Sequence, residues 1–154
     1  MRRLILPPTL TTIYMKVKIL ERTFVDTSFV LAIVSEKDEL HQKAKDLVKI
    51  YGMYPWLTTD LVLYEVANSL ARNAKTQAQK IISDFLEADG IEIVYASPAL
   101  FRKGFALYCK YADKTWGLID CVSFIVMREN NMTDALTNDK HFQQAGFNAL
   151  MRES

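Results

Sequence analysis

The chain has 154 residues and a formal net charge of +1, with half of its residues apolar and about a quarter charged. This length is enough for one domain with a sizeable core, and the near-zero charge excludes a protein that attracts nucleic acid through a global basic field. Two cysteines without a CxxC pair and two distant histidines argue against a zinc site or a disulfide framework. A reducing, cytoplasmic setting is the simplest expectation.

The first residues stand apart from the rest of the sequence. They begin with a basic pair, but the apolar run "LIL" is broken at once by Pro7 and Pro8, which makes a poor secretory signal. We therefore expect residues 1–14 to be an N-terminal extension of unclear role, with Met15 as an alternative start, and residues 15–154 to be a single domain. No apolar run reaches the length that spans a bilayer.

Strand-like and helix-like segments alternate after this extension. The predicted strands are 22–26, 55–59, 91–95, 134–137 and a final edge strand at 148–151. The predicted helices are 28–34, 38–51, 60–73, 76–89, 98–112, 118–130 and 140–145. Alternation of this kind predicts an α/β fold with a parallel sheet and helices on both of its faces.

Four acids are predicted to meet at one edge of this sheet. Asp26 and Asp139 each follow a strand, whereas Glu65 and Asp120 lie in the first turns of helices that should open at the same edge. Converging carboxylates repel one another and raise their own pKa values unless a cation lies among them. Oxygen-only ligands suit Mg²⁺ or Mn²⁺, and such a site can activate water and stabilise the charge on a phosphodiester.

Each acid also has a structural explanation, which the sequence leaves open. Asp26 and Asp139 could simply cap the helices that follow them. Asp120 falls three residues after Gly117, a position typical of a capping box, although the helix over 118–130 is apolar on almost every side and would make an unpaired carboxylate costly. Glu65 could belong to a solvated polar face.

The motifs "FVDTSFVLA", "YEVANSLAR", "DKTWGLIDCVSF" and "ALTNDKHFQQAGF" resemble, in this order, the motifs of PIN-domain nucleases. The size is most similar to VapC-type toxins of type II toxin–antitoxin systems, and the resemblance runs from about residue 22 to the end. It implies a three-layer α/β/α sandwich with a mostly parallel central sheet. It also implies a metal-dependent ribonuclease, frequent homodimers and, in toxins, a small antitoxin partner.

The same resemblance assigns roles to individual residues. It implies that Asp26, Glu65, Asp120 and Asp139 form the catalytic and metal-binding set, with Asp26 and Asp120 as direct ligands of Mg²⁺ or Mn²⁺. Supporting roles fall to the hydroxyls of Thr27, Ser28 and Thr137. Gly117 stands where many members of the family have serine. The predicted RNA contacts are Asn68, Arg72 and Lys140.

The remaining candidates are expected to be structural. We expect His41 to be solvated, His141 to lie at the surface, although its position next to Asp139 would also allow contact with substrate, and Trp116 and Phe124 to lie in the core. Alternative functions stay open at this point: a PIN-fold module that binds RNA or protein without catalysis, a housekeeping PIN nuclease without an antitoxin, or a receiver-like domain or phosphatase. The last of these lacks support, because "DTS" does not supply the second acid of a DxD motif.

Overall fold

The computed structural model describes Thr9 and residues 22–152. The predicted N-terminal extension and its boundary at residue 15 therefore lie outside the described residues, apart from Thr9, which is exposed. The described strands are β1 Thr23–Val25, β2 Trp56–Thr59, β3 Ile91–Val94, β4 Asp134–Leu136 and β5 Asn148–Ala149. The described helices are α1 Thr27–Val34, α2 His41–Tyr51, α3 Asp60–Leu70, α4 Lys75–Glu87, α5 Pro98–Lys110, α6 Leu118–Glu129 and α7 Lys140–Gln144.

The five strands form one sheet in the order β3-β2-β1-β4-β5, and every neighbouring pair is parallel. Strand β1 lies in the centre, and its last residue, Val25, is paired with Leu136 at the end of β4. The residues that follow these two strands therefore emerge side by side. The predicted parallel sheet and its final edge strand are confirmed.

Helices cover the sheet as the predicted α/β/α sandwich requires. Helix α1 packs against α2 and α3, while α5 packs along α6, which in turn contacts α7. Helix α6 is the most deeply buried, with Cys121, Val122, Phe124 and Met127 each at most 1% exposed. Trp116 and Phe124 lie in the core, as predicted. None of the helices in the described part of the chain is long and apolar enough to cross a bilayer.

Three details of α2 differ from the sequence prediction. The helix begins at His41 and not at residue 38, because the Asp38 side chain accepts from Leu40 N at 2.8 Å and holds a turn there. Val48 follows Ala44 by four residues, a spacing that predicts a shared apolar face, but Val48 is 36% exposed whereas Ala44 is fully buried. The expectation of a solvated His41 is also wrong: it is half-buried, and its Nδ1 lies 2.8 Å from the carbonyl oxygen of Ala32.

The packing of α5 on α6 depends on a glycine. A Cβ atom at Gly104 would lie 2.5 Å from Val122 Cγ2 and 3.3 Å from Val122 Cα. Since Val122 is buried and β-branched, it cannot rotate away freely. We predict that Gly104→Ala lowers the free energy of unfolding by roughly 1–2 kcal/mol in urea denaturation, because overpacking outweighs the gain in helix propensity.

Gly90→Ala is the matched control, since no atom lies within 4 Å of a Cβ at that position. The control should leave the unfolding free energy nearly unchanged. Val122→Ala should lower the unfolding free energy less in the Gly104→Ala protein than in the unmodified protein, because it removes the clashing methyl group. Equal stability of the two glycine variants would contradict the close approach of α5 and α6.

Candidate active site

Asp26 lies at the end of β1, where its side chain is almost completely buried. Its Oδ2 accepts hydrogen bonds from Thr137 Oγ1 at 2.7 Å and from Ser28 Oγ at 2.8 Å, and a longer one from Ser28 N at 3.3 Å. Burial raises the pKa of Asp26 from 3.8 to about 6, even though these donors favour the charged form. The helix-cap role predicted for Asp26 is confirmed, since Ser28 N belongs to the first turn of α1.

The hydroxyls of Ser28 and Thr137 join the end of β1 to the end of β4. Thr137 Oγ1 also accepts from Asp139 N at 3.0 Å, and Ser28 Oγ accepts from Asn138 N at 2.9 Å. The parallel pairing of Val25 with Leu136 places these groups within reach of one another. Asp26 and Asp139 are thus connected through a single threonine side chain.

Glu65 is held by the helix that follows Asp26. Its Oε2 accepts from Thr27 Oγ1 at 2.6 Å, and its side chain is half-buried. Thr59 caps α3 through a 3.2 Å bond from Val62 N, and Glu65 lies in the second turn of this helix and not, as was expected, in the first. The alternative of a freely solvated Glu65 is therefore wrong, although Asn68 and Arg72 further along α3 are exposed.

Asp120 lies in the first turn of α6, and its side chain is 19% exposed. Its Oδ2 accepts from Gly117 N at 2.9 Å, which is the half of a capping box that does not need a side chain at the cap. Burial raises the pKa of Asp120, and the charge of Asp139 adds to this effect, whereas the Gly117 N–H and His141 oppose it.

Asp139 caps α7, and its Oδ1 accepts from His141 N at 2.8 Å. The His141 ring lies between two carboxylates: its Nδ1 is 3.1 Å from Asp120 Oδ2 and 3.3 Å from Asp139 Oδ1. Its Nε2 lies 3.1 Å from Thr115 Oγ1. The expectation that His141 is a solvated surface residue is wrong, because only 17% of its side chain is exposed. Its position two residues after Asp139 was the one signal in the sequence.

The described residues include one group of three side chains whose ligand atoms all lie within 4.8 Å of one another, namely Asp120, Asp139 and His141. Asp26 and Glu65 lie outside this group but are tied to it by the threonine contacts described above. Carboxylate oxygens with an imidazole nitrogen form a donor set that fits a small divalent cation. The predicted acids therefore share one edge of the sheet.

An open cleft of about 480 Å³ adjoins this edge. It is lined by Ser28, Leu31, Lys37, Asp38, Glu39, Leu40 and Asn138. Lys37 lines this cleft, and nothing in the acidic stretch around it distinguishes it in the sequence. Of the predicted contacts, Lys140 is exposed like Asn68 and Arg72, and it directly follows Asp139.

Comparison with known proteins places this geometry in a family. The model of the PIN domain matches residues 23–148. The 23S rRNA-specific endonuclease VapC20, from two strains of Mycobacterium tuberculosis, is 25% identical over 126 residues, which cover 80% of this chain and 94% of that protein. The crystal structure of Mycobacterium tuberculosis VapC20, described as a sarcin-ricin loop cleaving toxin, superposes with a TM-score of 0.73 at 25% identity and covers 82% of this chain and 97% of that one.

The family match spans all twelve helices and strands except the end of the last strand, and the structural match agrees with it in fold. The resemblance seen in the four sequence motifs is confirmed, and the hypotheses of a receiver-like domain or a phosphatase are set aside. The chain belongs to the PIN-domain family.

Proposed function

We propose that this protein is a divalent-metal-dependent endoribonuclease and the toxin of a toxin–antitoxin pair. The observation that carries the proposal is the chain of short contacts joining the four acids at one sheet edge. It runs from Glu65 through Thr27 to the end of β1, from Asp26 through Thr137 to Asp139, and from Asp139 through His141 to Asp120. Similarity to an endonuclease of the same family supports it.

The hydrogen bonds that Asp26 accepts from Ser28 and Thr137 fall on one of its oxygens. Both residues donate to Oδ2, and a carboxylate has further lone pairs with which it can bind a cation. Asp120 and Asp139 likewise each give one oxygen to a backbone N–H and keep lone pairs for further contacts. We propose Asp26 and Asp120 as direct ligands of Mg²⁺, for which Mn²⁺ can substitute, with Glu65 and Asp139 completing the set.

The proposed reaction is hydrolysis of a phosphodiester. A bound divalent cation would supply Lewis-acid stabilisation of the phosphate charge and lower the pKa of water. Glu65 or Asp139 would accept the proton of the attacking water, while the hydroxyl of Thr27 holds Glu65 in place. Attack by water leaves a 3′-hydroxyl and a 5′-phosphate and makes no use of the 2′-hydroxyl.

Substrate and partners follow from the same family. We propose RNA as the substrate, with an rRNA loop as the first RNA to test, since the relative is specific for 23S rRNA. Asn68, Arg72 and Lys140 are proposed to contact its backbone.

A protein partner, either an antitoxin or a second copy, is supported by an exposed aromatic row on α5 in which Phe105 stacks between Phe101 and Tyr108. We propose the cytoplasm as its location.

The first test is cleavage of a total RNA pool in Mg²⁺, with and without EDTA. Asp26→Asn and Asp120→Asn should each lower the cleavage rate by at least about 100-fold, because the loss of a charged ligand weakens both cation binding and charge stabilisation. Asp46→Asn is the matched control: Asp46 is an exposed acid on α2 that pairs with Lys49, and its loss should leave the rate unchanged.

Equal cleavage by the Asp26→Asn and unmodified proteins would overturn the proposed mechanism. Intact RNA in both Mg²⁺ and Mn²⁺, with the unmodified protein bound to it, would favour the alternative of a PIN-fold module without catalysis. A gene for a small antitoxin beside this one would separate a toxin from a housekeeping nuclease.

The raised pKa of Asp26 predicts how the metal-free fold depends on pH. Because the pKa is higher in the folded state than its ordinary 3.8, the stabilising contribution of Asp26 is complete below pH 3.8 and is lost as the pH rises through about 6. The rise corresponds to roughly 3 kcal/mol. Asp26→Asn, which cannot ionise, should therefore gain stability over the unmodified protein between pH 4 and 7, as urea denaturation in EDTA can measure.

Asp46→Asn is again the control, since its contacts with Lys49 and Gln42 lower the pKa of Asp46. Asp46→Asn should not become more stable relative to the unmodified protein as the pH rises. Parallel stability curves for Asp26→Asn and the unmodified protein would contradict the desolvation of Asp26.

A further inference from the structure

The side chain of His141 lies within the acidic site, although no acid–base role has been assigned to it above. Its Nδ1 is directed at two carboxylate oxygens on different elements, Asp120 Oδ2 at the start of α6 and Asp139 Oδ1 before α7. Helix α7 fixes the ring from one side, because Asp139 caps the helix through His141 N. Thr115, in the segment before α6, fixes it from the other side.

The distances match those between neighbouring ligands of one cation. Ligand atoms about 2.1 Å from an ion in octahedral geometry lie about 3.0 Å from one another. The two separations from Nδ1, 3.1 and 3.3 Å, are close to this value, and all three ligand atoms lie within 4.8 Å. In the absence of a cation, Nδ1–H donates to Asp120 and lies near Asp139; a shared cation would bring the same three atoms together.

The far side of the ring has the partner that a metal ligand needs. Histidines that bind metals through one nitrogen usually donate the N–H of the other to a fixed acceptor, which sets the tautomer and the ring orientation. Thr115 Oγ1, 3.1 Å from Nε2, can accept such a bond. Without a cation, Nδ1–H can donate to Asp120; with a cation bound, the single proton of the neutral ring would lie on Nε2 and the Nδ1 lone pair would be free to bind.

We propose that His141 Nδ1 is a direct ligand of the divalent cation held by Asp120 and Asp139, so that this centre has one nitrogen donor among its oxygens. The inference rests on the proposed metal-dependent function and refines it. A nitrogen ligand favours Mn²⁺ over Mg²⁺, since imidazole suits transition metals better than it suits the hard Mg²⁺ ion. His141 therefore sets the preference of the site between these two cations.

The test measures cation binding to the RNA-free protein. Pulsed electron paramagnetic resonance of the Mn²⁺ complex should show coupling to a nitrogen nucleus, and His141→Asn should abolish it. Calorimetric titrations should show at least a tenfold loss of Mn²⁺ affinity in this variant and a smaller loss for Mg²⁺, so that the Mn²⁺/Mg²⁺ preference narrows. Asparagine keeps a hydrogen-bond donor beside Asp120, which separates ligation from hydrogen bonding.

His41→Asn is the matched control, because His41 lies on α2, where it contacts the carbonyl oxygen of Ala32. It should change neither the nitrogen coupling nor the cation preference. The proposal is overturned if the unmodified protein shows no nitrogen coupling, binds no Mn²⁺, or keeps its cation preference in His141→Asn. Nitrogen-coupled Mn²⁺ without RNA cleavage would instead refute the ribonuclease function and leave the ligand assignment intact.

Discussion

The burial of the Asp26 carboxylate at the end of the central strand is the constraint on which the site depends. Removing a charge from water is costly unless donors replace the lost hydration. Here the donors are the hydroxyls of Ser28 and Thr137, one on the helix after β1 and the other directly after β4. Ser28 reaches Asp26 because it lies two residues further along the chain, whereas Thr137 reaches it because β1 and β4 are parallel and in register. The hydrogen bonding of Asp26 therefore depends on the sheet topology.

Helix capping and the site share the same side chains. Asp26, Asp120 and Asp139 each satisfy a backbone N–H at the start of a helix, at Ser28, Gly117 and His141 respectively. A carboxylate has about four lone-pair positions, so a cap leaves room for other contacts. The caps also fix the carboxylates in position, which lowers the reorganisation that the proposed cation binding would need. The same carboxylate can therefore cap a helix and still bind a cation.

Much of the fold could be predicted from residue patterns. The alternation of strands and helices gave the parallel sheet, and the apolar sequence of α6 gave its burial. The errors lie where tertiary contacts override local pattern. Val48 repeats at helical spacing but is 36% exposed, while His41 looks polar yet is half-buried with its Nδ1 against the carbonyl oxygen of Ala32. Helix α2 begins three residues later than predicted because the Asp38 side chain holds a turn that competes with the helix.

The sequence by itself determined which acids follow strands or open helices, because parallel strands share one carboxyl edge. It also determined the family, through four ordered motifs. Only the tertiary structure decided which groups touch. Thr137 meets Asp26 across 111 positions, and His141 meets Asp120 across 21. Such pairs leave no periodic signal along the chain, since their contact depends on strand register and helix packing rather than on local spacing.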